Sequence, residues 1–173
     1  MTDTKKKNRI RWLIFGLILL LAFLIQSTNG LSLRLGELKI PVLLPVLSVI
    51  CMFEKEKSAC WYGLFAGLLL DSISAVMIGY NALILLILCT AIGYLATNLL
   101  RNTILTNVIT GFVFMFLYES LYWLFFIDFK QYIGASQVYF SSYLPAAFIG
   151  AIMIIPIFFI IRIINRPLQA KEG

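Results

Sequence analysis

Long apolar runs, separated by short groups of charged residues, constrain this chain more than any other feature of its sequence. The clearest run covers 12–25, holds no charged residue and follows five cations. A stretch of about 20 apolar residues crosses the hydrocarbon core of a bilayer as one helix. Hydrophobic residues make up 61% of the chain and charged residues 13%, which excludes a soluble globular domain. The sequence therefore predicts an integral membrane protein.

The length of the chain limits the number of spans. At roughly 20 residues per span, 173 residues hold about six helices with short loops and leave no room for a soluble domain. The second span is short for a full crossing and contains both Pro41 and Pro45. We predict an all-α membrane protein with a basic tail at 1–11, a transmembrane domain at 12–164 and a second tail at 165–173. The predicted spans are 12–26, 41–53, 58–71, 80–99, 103–127 and 144–164.

Two segments near the N-terminus need separate interpretation. A signal peptide also begins with cations before an apolar run, but 26–30 offer no small-x-small cleavage site, so we expect the first span to be retained. The next segment, 31–40, alternates apolar and polar residues and holds three charges. Three charges so close together are too costly to enter hydrocarbon, so this pattern favours an interfacial or extended segment.

The distribution of cations predicts the orientation of the chain. Lys and Arg are retained preferentially on the cytoplasmic side of a membrane. With a cytoplasmic N-terminus and six spans, eleven of the fourteen cations lie inside, and only Arg34, Lys39 and Lys130 lie outside. An odd number of spans would put the C-terminal cations outside. We therefore expect both termini in the cytoplasm.

Residue usage argues against several classes of function. Histidine is absent, and the three cysteines show no CxxC spacing, so neither a metal site nor a disulfide framework is expected. No HExxH, nucleophile elbow, phosphate-binding Gly-rich loop or pair of catalytic carboxylates is present, so we expect no enzyme and no cofactor. The net charge of +6 lies in the tails and beside the spans, which indicates orientation rather than nucleic-acid binding.

A stripe of small residues that ends in a carboxylate organises the third span. Ala59, Gly63, Gly67 and Asp71 are spaced by four, so they share one face of a helix. Small residues let a second helix approach closely. The second helix is either a neighbouring span or the single helix of a partner protein, and the sequence favours neither. Gly67→Leu distinguishes them, because loss of expression indicates the first and loss of binding alone the second.

The residues after this stripe predict a hairpin of two membrane helices. Asp71 precedes a short polar turn that includes Gly79, Tyr80 and Asn81. One interpretation leaves the carboxylate in water at the outer end of the span. The favoured one buries it, so that it fixes the hairpin by accepting hydrogen bonds. The candidate donors are Ser72, Ser74, Tyr80 and Asn81.

Glu119 is the second acid inside a predicted span. It lies within the aromatic sequence FMFLYESLYWLFF, far from either end of the fifth span. A charged side chain in hydrocarbon is costly, so we expect an internal role. A hydrogen bond between helices is the favoured interpretation, and a place in the lining of a cavity is the alternative.

Two short patterns in the hairpin carry a family resemblance. The third span ends in Gly-Leu-Leu-Leu-Asp at 67–71, and the fourth begins with Gly-Tyr followed by Asn-Ala-Leu at 79–83. With the basic N-terminus and six spans, these patterns resemble the rod shape-determining protein MreD family of bacterial cell-wall elongation. The resemblance covers nearly the whole chain, although outside 63–95 it rests on hydropathy alone.

The resemblance implies a scaffold in the bacterial plasma membrane rather than an enzyme. The expected main partner is MreC, which has one membrane helix, and the same complex would contain RodA and a class B penicillin-binding protein. MreB filaments would be coupled indirectly to peptidoglycan synthesis. The resemblance also implies a fold similar to that of the six-helix substrate-binding subunits of ECF vitamin transporters.

The alternative is a vitamin-binding subunit of such a transporter. Its outward loops, 31–40, 72–80 and 128–143, would then close over the ligand. These loops carry few converging polar groups, so the scaffold is favoured.

Overall fold

The protein folds into a bundle of α-helices with one small β-ladder. The computed structural model describes residues 2–28, 34–35, 38–39, 41–73, 79–125 and 144–169. In these residues six helices are present, as expected for an all-α membrane protein. They are α1 (Thr2–Ser27), α2 (Leu43–Phe53), α3 (Glu56–Ile73), α4 (Tyr80–Asn98), α5 (Ile104–Trp123) and α6 (Leu144–Gln169).

The ladder lies in the segment that the sequence predicts to be interfacial or extended. Strands β1 (Arg34–Leu35) and β2 (Leu38–Lys39) pair in antiparallel fashion. Arg34 is opposite Lys39, and Leu35 is opposite Leu38. The extended conformation is therefore confirmed at these four residues, and the rest of 31–40 lies outside the described residues.

Within the part of the chain that the structure describes, four helices are long and apolar enough to cross a membrane. The candidate spanning stretches are Ile10–Ser27, Tyr80–Asn98, Ile104–Trp123 and Pro145–Asn165. The other two helices differ from them in length or charge. α2 has only 11 residues, and the 18 residues of α3 include the charged Glu56, Lys57 and Asp71.

α2 is the core of the bundle. Every residue from Pro41 to Met52 is buried, and α2 contacts each of the five other helices. At a rise of 1.5 Å per residue its 11 residues measure about 16 Å, roughly half of the hydrocarbon thickness. A helix this short is tolerated at membrane depth when protein surrounds its ends, because lipid cannot satisfy open backbone groups. Burial on all sides thus explains why the second apolar run is so short.

An ion pair joins the first helix to the turn between α2 and α3. Arg11 contacts Glu54 through both oxygens of the carboxylate, with Nε to Oε1 at 2.9 Å and Nη2 to Oε2 at 3.1 Å. The Glu54 side chain is only 3% exposed. Burial raises the pKa of Glu54, and the neighbouring Arg11 guanidinium opposes this rise. Arg11 therefore has a structural role besides its contribution to membrane orientation.

Candidate functional site

The stripe of small residues on α3 faces α4 within the same chain. A Cβ atom added to Gly67 would lie 2.3 Å from the Cα of Ala82, and one added to Gly63 would lie 2.5 Å from the carbonyl oxygen of Leu85. Ala59 is fully buried in the same contact, where it faces Gly93 of α4. Of the two interpretations left open by the sequence, close contact with a neighbouring helix is the one observed.

Asp71 closes the hairpin at the end of this stripe. Its side chain is 5% exposed, and its carboxylate accepts three backbone N–H groups. Oδ2 accepts from Gly79 at 3.0 Å and Ala82 at 3.1 Å, and Oδ1 accepts from Asn81 at 3.1 Å. These amides belong to the beginning of α4, where unsatisfied N–H groups and the helix dipole both favour a negative charge. The acid at the end of α3 thus caps α4.

The burial of Asp71 agrees with the favoured interpretation, and Asn81, one of the four candidate donors, donates to it through its backbone N–H. Gly79 and Ala82 also donate backbone N–H groups, although neither was expected. Ser72 is exposed and donates its hydroxyl to the carbonyl of Leu69 at 2.6 Å. Ser74 lies outside the described residues. The missed signal is the helix start itself, because the first turn of any helix offers free amides to a nearby carboxylate.

Gly79 makes this arrangement sterically possible. It precedes α4 with a φ of 94°, in the left-handed region that side chains with a Cβ rarely adopt. Its own N–H is one of the three that bind the carboxylate. Gly79 therefore serves the turn through its backbone.

A hydrogen bond extends the Asp71 network to α5. The Tyr118 hydroxyl donates to Oδ1 of Asn81 at 2.8 Å, and both residues are buried. One turn after Tyr118, the Tyr122 ring packs edge to face against Tyr80, with the ring centroids 6.2 Å apart. Phe125 packs against Tyr80 in the same way at 5.7 Å. The start of α4 is thus tied to both neighbours, through Asp71 on one side and Tyr118 on the other.

A polar cavity of about 240 Å³ adjoins this network. It lies where the C-terminal ends of α1, α3 and α5 meet the N-terminal ends of α2 and α4. Glu119 lines it, so the structure supports the cavity-lining alternative for this acid rather than the favoured interhelical hydrogen bond. The lining residues are Gln26, Pro41, Leu44, Leu70, Ile73, Asn81, Tyr118, Glu119 and Tyr122.

The chemistry available at this site is limited. Both carboxylate oxygens of Asp71 already accept hydrogen bonds from the backbone. Gln26 uses Oε1 to accept the N–H of Leu43 at 2.9 Å, which caps the start of α2. Among the described residues, no group of three or more His, Cys, Asp or Glu side chains could hold a metal ion. The arrangement is suited to holding helix ends together.

Sequence reasoning missed three contributors to the cavity. Gln26 was considered only because 26–30 lack a cleavage site, and Tyr118 and Tyr122 only as part of the aromatic sequence around Glu119. The tyrosines are four residues apart and flank Glu119, so they lie near the acid on the same helix. The presence of two tyrosine hydroxyl groups beside an acid inside a span was the signal that could have identified these residues.

Comparison with known proteins identifies the family. The sequence model of the family described as rod shape-determining protein MreD matches residues 6–167 of the 173 residues. No curated protein and no solved structure matches the chain. The match includes all of the Asp71 hairpin and the residues that line the cavity. The chain therefore belongs to the rod shape-determining protein MreD family.

Proposed function

We propose that the protein is a non-enzymatic scaffold subunit of the bacterial elongation complex. It binds MreC and helps couple MreB filaments to peptidoglycan synthesis, with RodA and a class B penicillin-binding protein in the same complex. The family match over 6–167 carries this proposal. The Asp71 hairpin supports it, because its buried carboxylate is used to connect two helices.

The proposed membrane arrangement has six spans and both termini in the cytoplasm. The asymmetry of eleven cations against three supports it. Under this arrangement the Arg11–Glu54 ion pair lies at the cytoplasmic end, and the polar cavity opens toward the outer face. The spans that we propose remain those predicted from the sequence.

Fewer surfaces of the bundle are available to the helix of a partner protein than the sequence suggested. Gly63 and Gly67 are buried against α4, so their face is not free for MreC. Exposed apolar side chains lie on other surfaces of the bundle, such as Leu83 of α4, Leu105 of α5 and Ile152 of α6, which are 60, 70 and 68% exposed. The hairpin acts on partner binding indirectly, by keeping the bundle in shape.

A vitamin-binding subunit of an ECF-type transporter is the second candidate. The polar cavity favours it, because Asn81, Tyr118 and Glu119 together offer hydrogen-bonding groups to a small molecule. Its volume of about 240 Å³ is slightly below the roughly 300 to 1,000 Å³ typical of ligand sites. The scaffold remains favoured because the family match carries it.

Co-purification distinguishes the two candidates. The tagged chain is extracted from bacterial membranes in detergent, and mass spectrometry identifies both the proteins and the small molecules that remain bound. Recovery of MreC without a stoichiometric ligand supports the scaffold. Recovery of transporter ATPase subunits, or of a vitamin, contradicts it and identifies the cavity as a ligand site.

A further inference from the structure

An apolar groove of about 490 Å³ lies on the surface of the bundle between α1 and α3. A Cβ atom added to Gly16 would meet no other atom within 4 Å, so the groove is open along this part of α1. Trp12 and Trp61 lie at its N-terminal end and are 51 and 62% exposed. The lining residues are Trp12, Leu13, Gly16, Leu17, Leu20, Trp61, Tyr62, Leu64, Phe65 and Leu68.

The two helices run in the same direction beside this groove. The rings of Trp12 and Tyr62 are 6.1 Å apart, and the Tyr62 hydroxyl donates to the carbonyl of Trp12 at 3.4 Å. Both N-terminal ends therefore lie at the tryptophan end of the groove. At its other end the groove is lined by Leu20 and Leu68, which are 37 and 51% exposed.

A cation precedes the groove on α3. Lys57 is exposed and lies one turn before Trp61, so the two residues share one face of this helix. Its ammonium group therefore offers a positive charge at the tryptophan end of the groove.

The length of the groove fits an acyl chain better than a helix. From Trp12 to Leu20 it extends about 12 Å along α1, at a rise of 1.5 Å per residue. One leaflet contributes about 15 Å of hydrocarbon, whereas a helix of a partner protein spans about 30 Å. Tryptophan is also the residue that prefers the headgroup level. The apolar surface, the tryptophans and Lys57 therefore follow one another in the order of the acyl chain, the glycerol esters and the headgroup of a phospholipid.

We propose that this groove binds an anionic phospholipid of the leaflet on the N-terminal side, with an acyl chain along Gly16 and the headgroup phosphate beside Lys57. The tryptophan N–H groups would lie at the depth of the glycerol esters. Because α1 is the least buried of the four long apolar helices, the lipid would help attach it to α3. The bound lipid would thus form part of the contact surface between these two helices.

Native mass spectrometry of the full chain in detergent micelles tests this proposal. Phosphatidylglycerol is titrated against phosphatidylcholine with the same acyl chains, and bound lipids are counted. We expect the wild-type chain to bind phosphatidylglycerol more tightly. Lys57→Ala should weaken this binding about fivefold. Arg101→Ala replaces another exposed cation, beyond the end of α4, so it is the matched control and should bind as the wild type does.

A second variant tests the groove itself. Gly16→Leu places a side chain in open space, so it should fold normally and weaken binding of either lipid about tenfold. Equal binding of the two lipids by the wild type would overturn the proposal, as would unchanged binding by Gly16→Leu. If Gly16→Leu instead removes MreC, or separates a dimer of this chain, while lipid binding is unchanged, the groove is a protein interface and the lipid proposal is wrong.

Discussion

Replacement of Asp71 by alanine should strongly destabilise the bundle. The carboxylate accepts three backbone amides at 3.0 to 3.1 Å and is 5% exposed. A hydrogen bond to a charged group contributes about 1.5 to 3 kcal/mol, and water has little access to replace it. Taking the lower value for each bond, Asp71→Ala should lower the free energy of unfolding by about 4 to 5 kcal/mol.

Asp71→Asn should have an intermediate effect. The amide oxygen can take the position of Oδ2 and continue to accept from Gly79 and Ala82. The amide NH₂ then faces the N–H of Asn81, so one bond is lost and two donors oppose each other. We expect a loss of about 2 to 3 kcal/mol.

Thermal unfolding in detergent micelles, followed by tryptophan fluorescence, measures these effects. A loss of 1 kcal/mol lowers the midpoint by about 2 to 4 °C in a protein of this size, so Asp71→Ala should unfold at least about 8 °C earlier. Ser72→Ala is the control, because Ser72 is exposed and its hydroxyl bonds only within its own helix. An Asp71→Ala midpoint within 2 °C of that control would refute the reasoning.

Three further predictions follow from other contacts. Gly67→Leu should prevent stable expression, because the new Cβ atom would lie 2.3 Å from a backbone atom. Gly16→Leu should express normally, because the new Cβ atom would meet no other atom within 4 Å. Western blots of membranes compare the amounts of the two variants. Arg11→Ala should leave the buried Glu54 carboxylate unpaired and cost about 3 kcal/mol, with Glu54→Gln added to restore stability. Because burial raises the folded-state pKa of Glu54, the destabilisation in Arg11→Ala should grow as pH rises above the ordinary value of 4.5, as thermal melts across pH would report. Tyr118→Phe removes the 2.8 Å bond to Asn81 and should lower the midpoint by about 2 to 4 °C in the same melts.

The helical class and the hairpin could be predicted because they depend on local patterns. Apolar runs determine which segments are helical, and the spacing of Gly63, Gly67 and Asp71 determines which face of α3 allows close contact. These patterns act within one or two helices. They indicate that a second helix must be near, and the structure adds that it is α4.

The rest of the site depends on contacts between distant segments. The Gln26 side chain accepts a hydrogen bond from the start of α2. Tyr118 and Asn81 are hydrogen-bonded although 37 residues separate them in the sequence, and Arg11 and Glu54 form an ion pair across 43 residues. None of these pairs has a spacing that a periodic pattern could reveal. Gly79 and Ala82 were missed as donors to Asp71 for a different reason, because every residue except proline has a backbone amide and the sequence does not show which amides are free.

The most direct test of the account is whether the purified chain binds purified MreC in detergent micelles, measured by native mass spectrometry. The account predicts a defined complex with the wild type and with Ser72→Ala, weaker or absent with Asp71→Ala, and no stoichiometric vitamin on any of them. Failure of the wild type to bind MreC, or a vitamin retained at one molecule per chain, would contradict the scaffold function. Unchanged binding by Asp71→Ala would contradict the role of the hairpin in maintaining the binding surface.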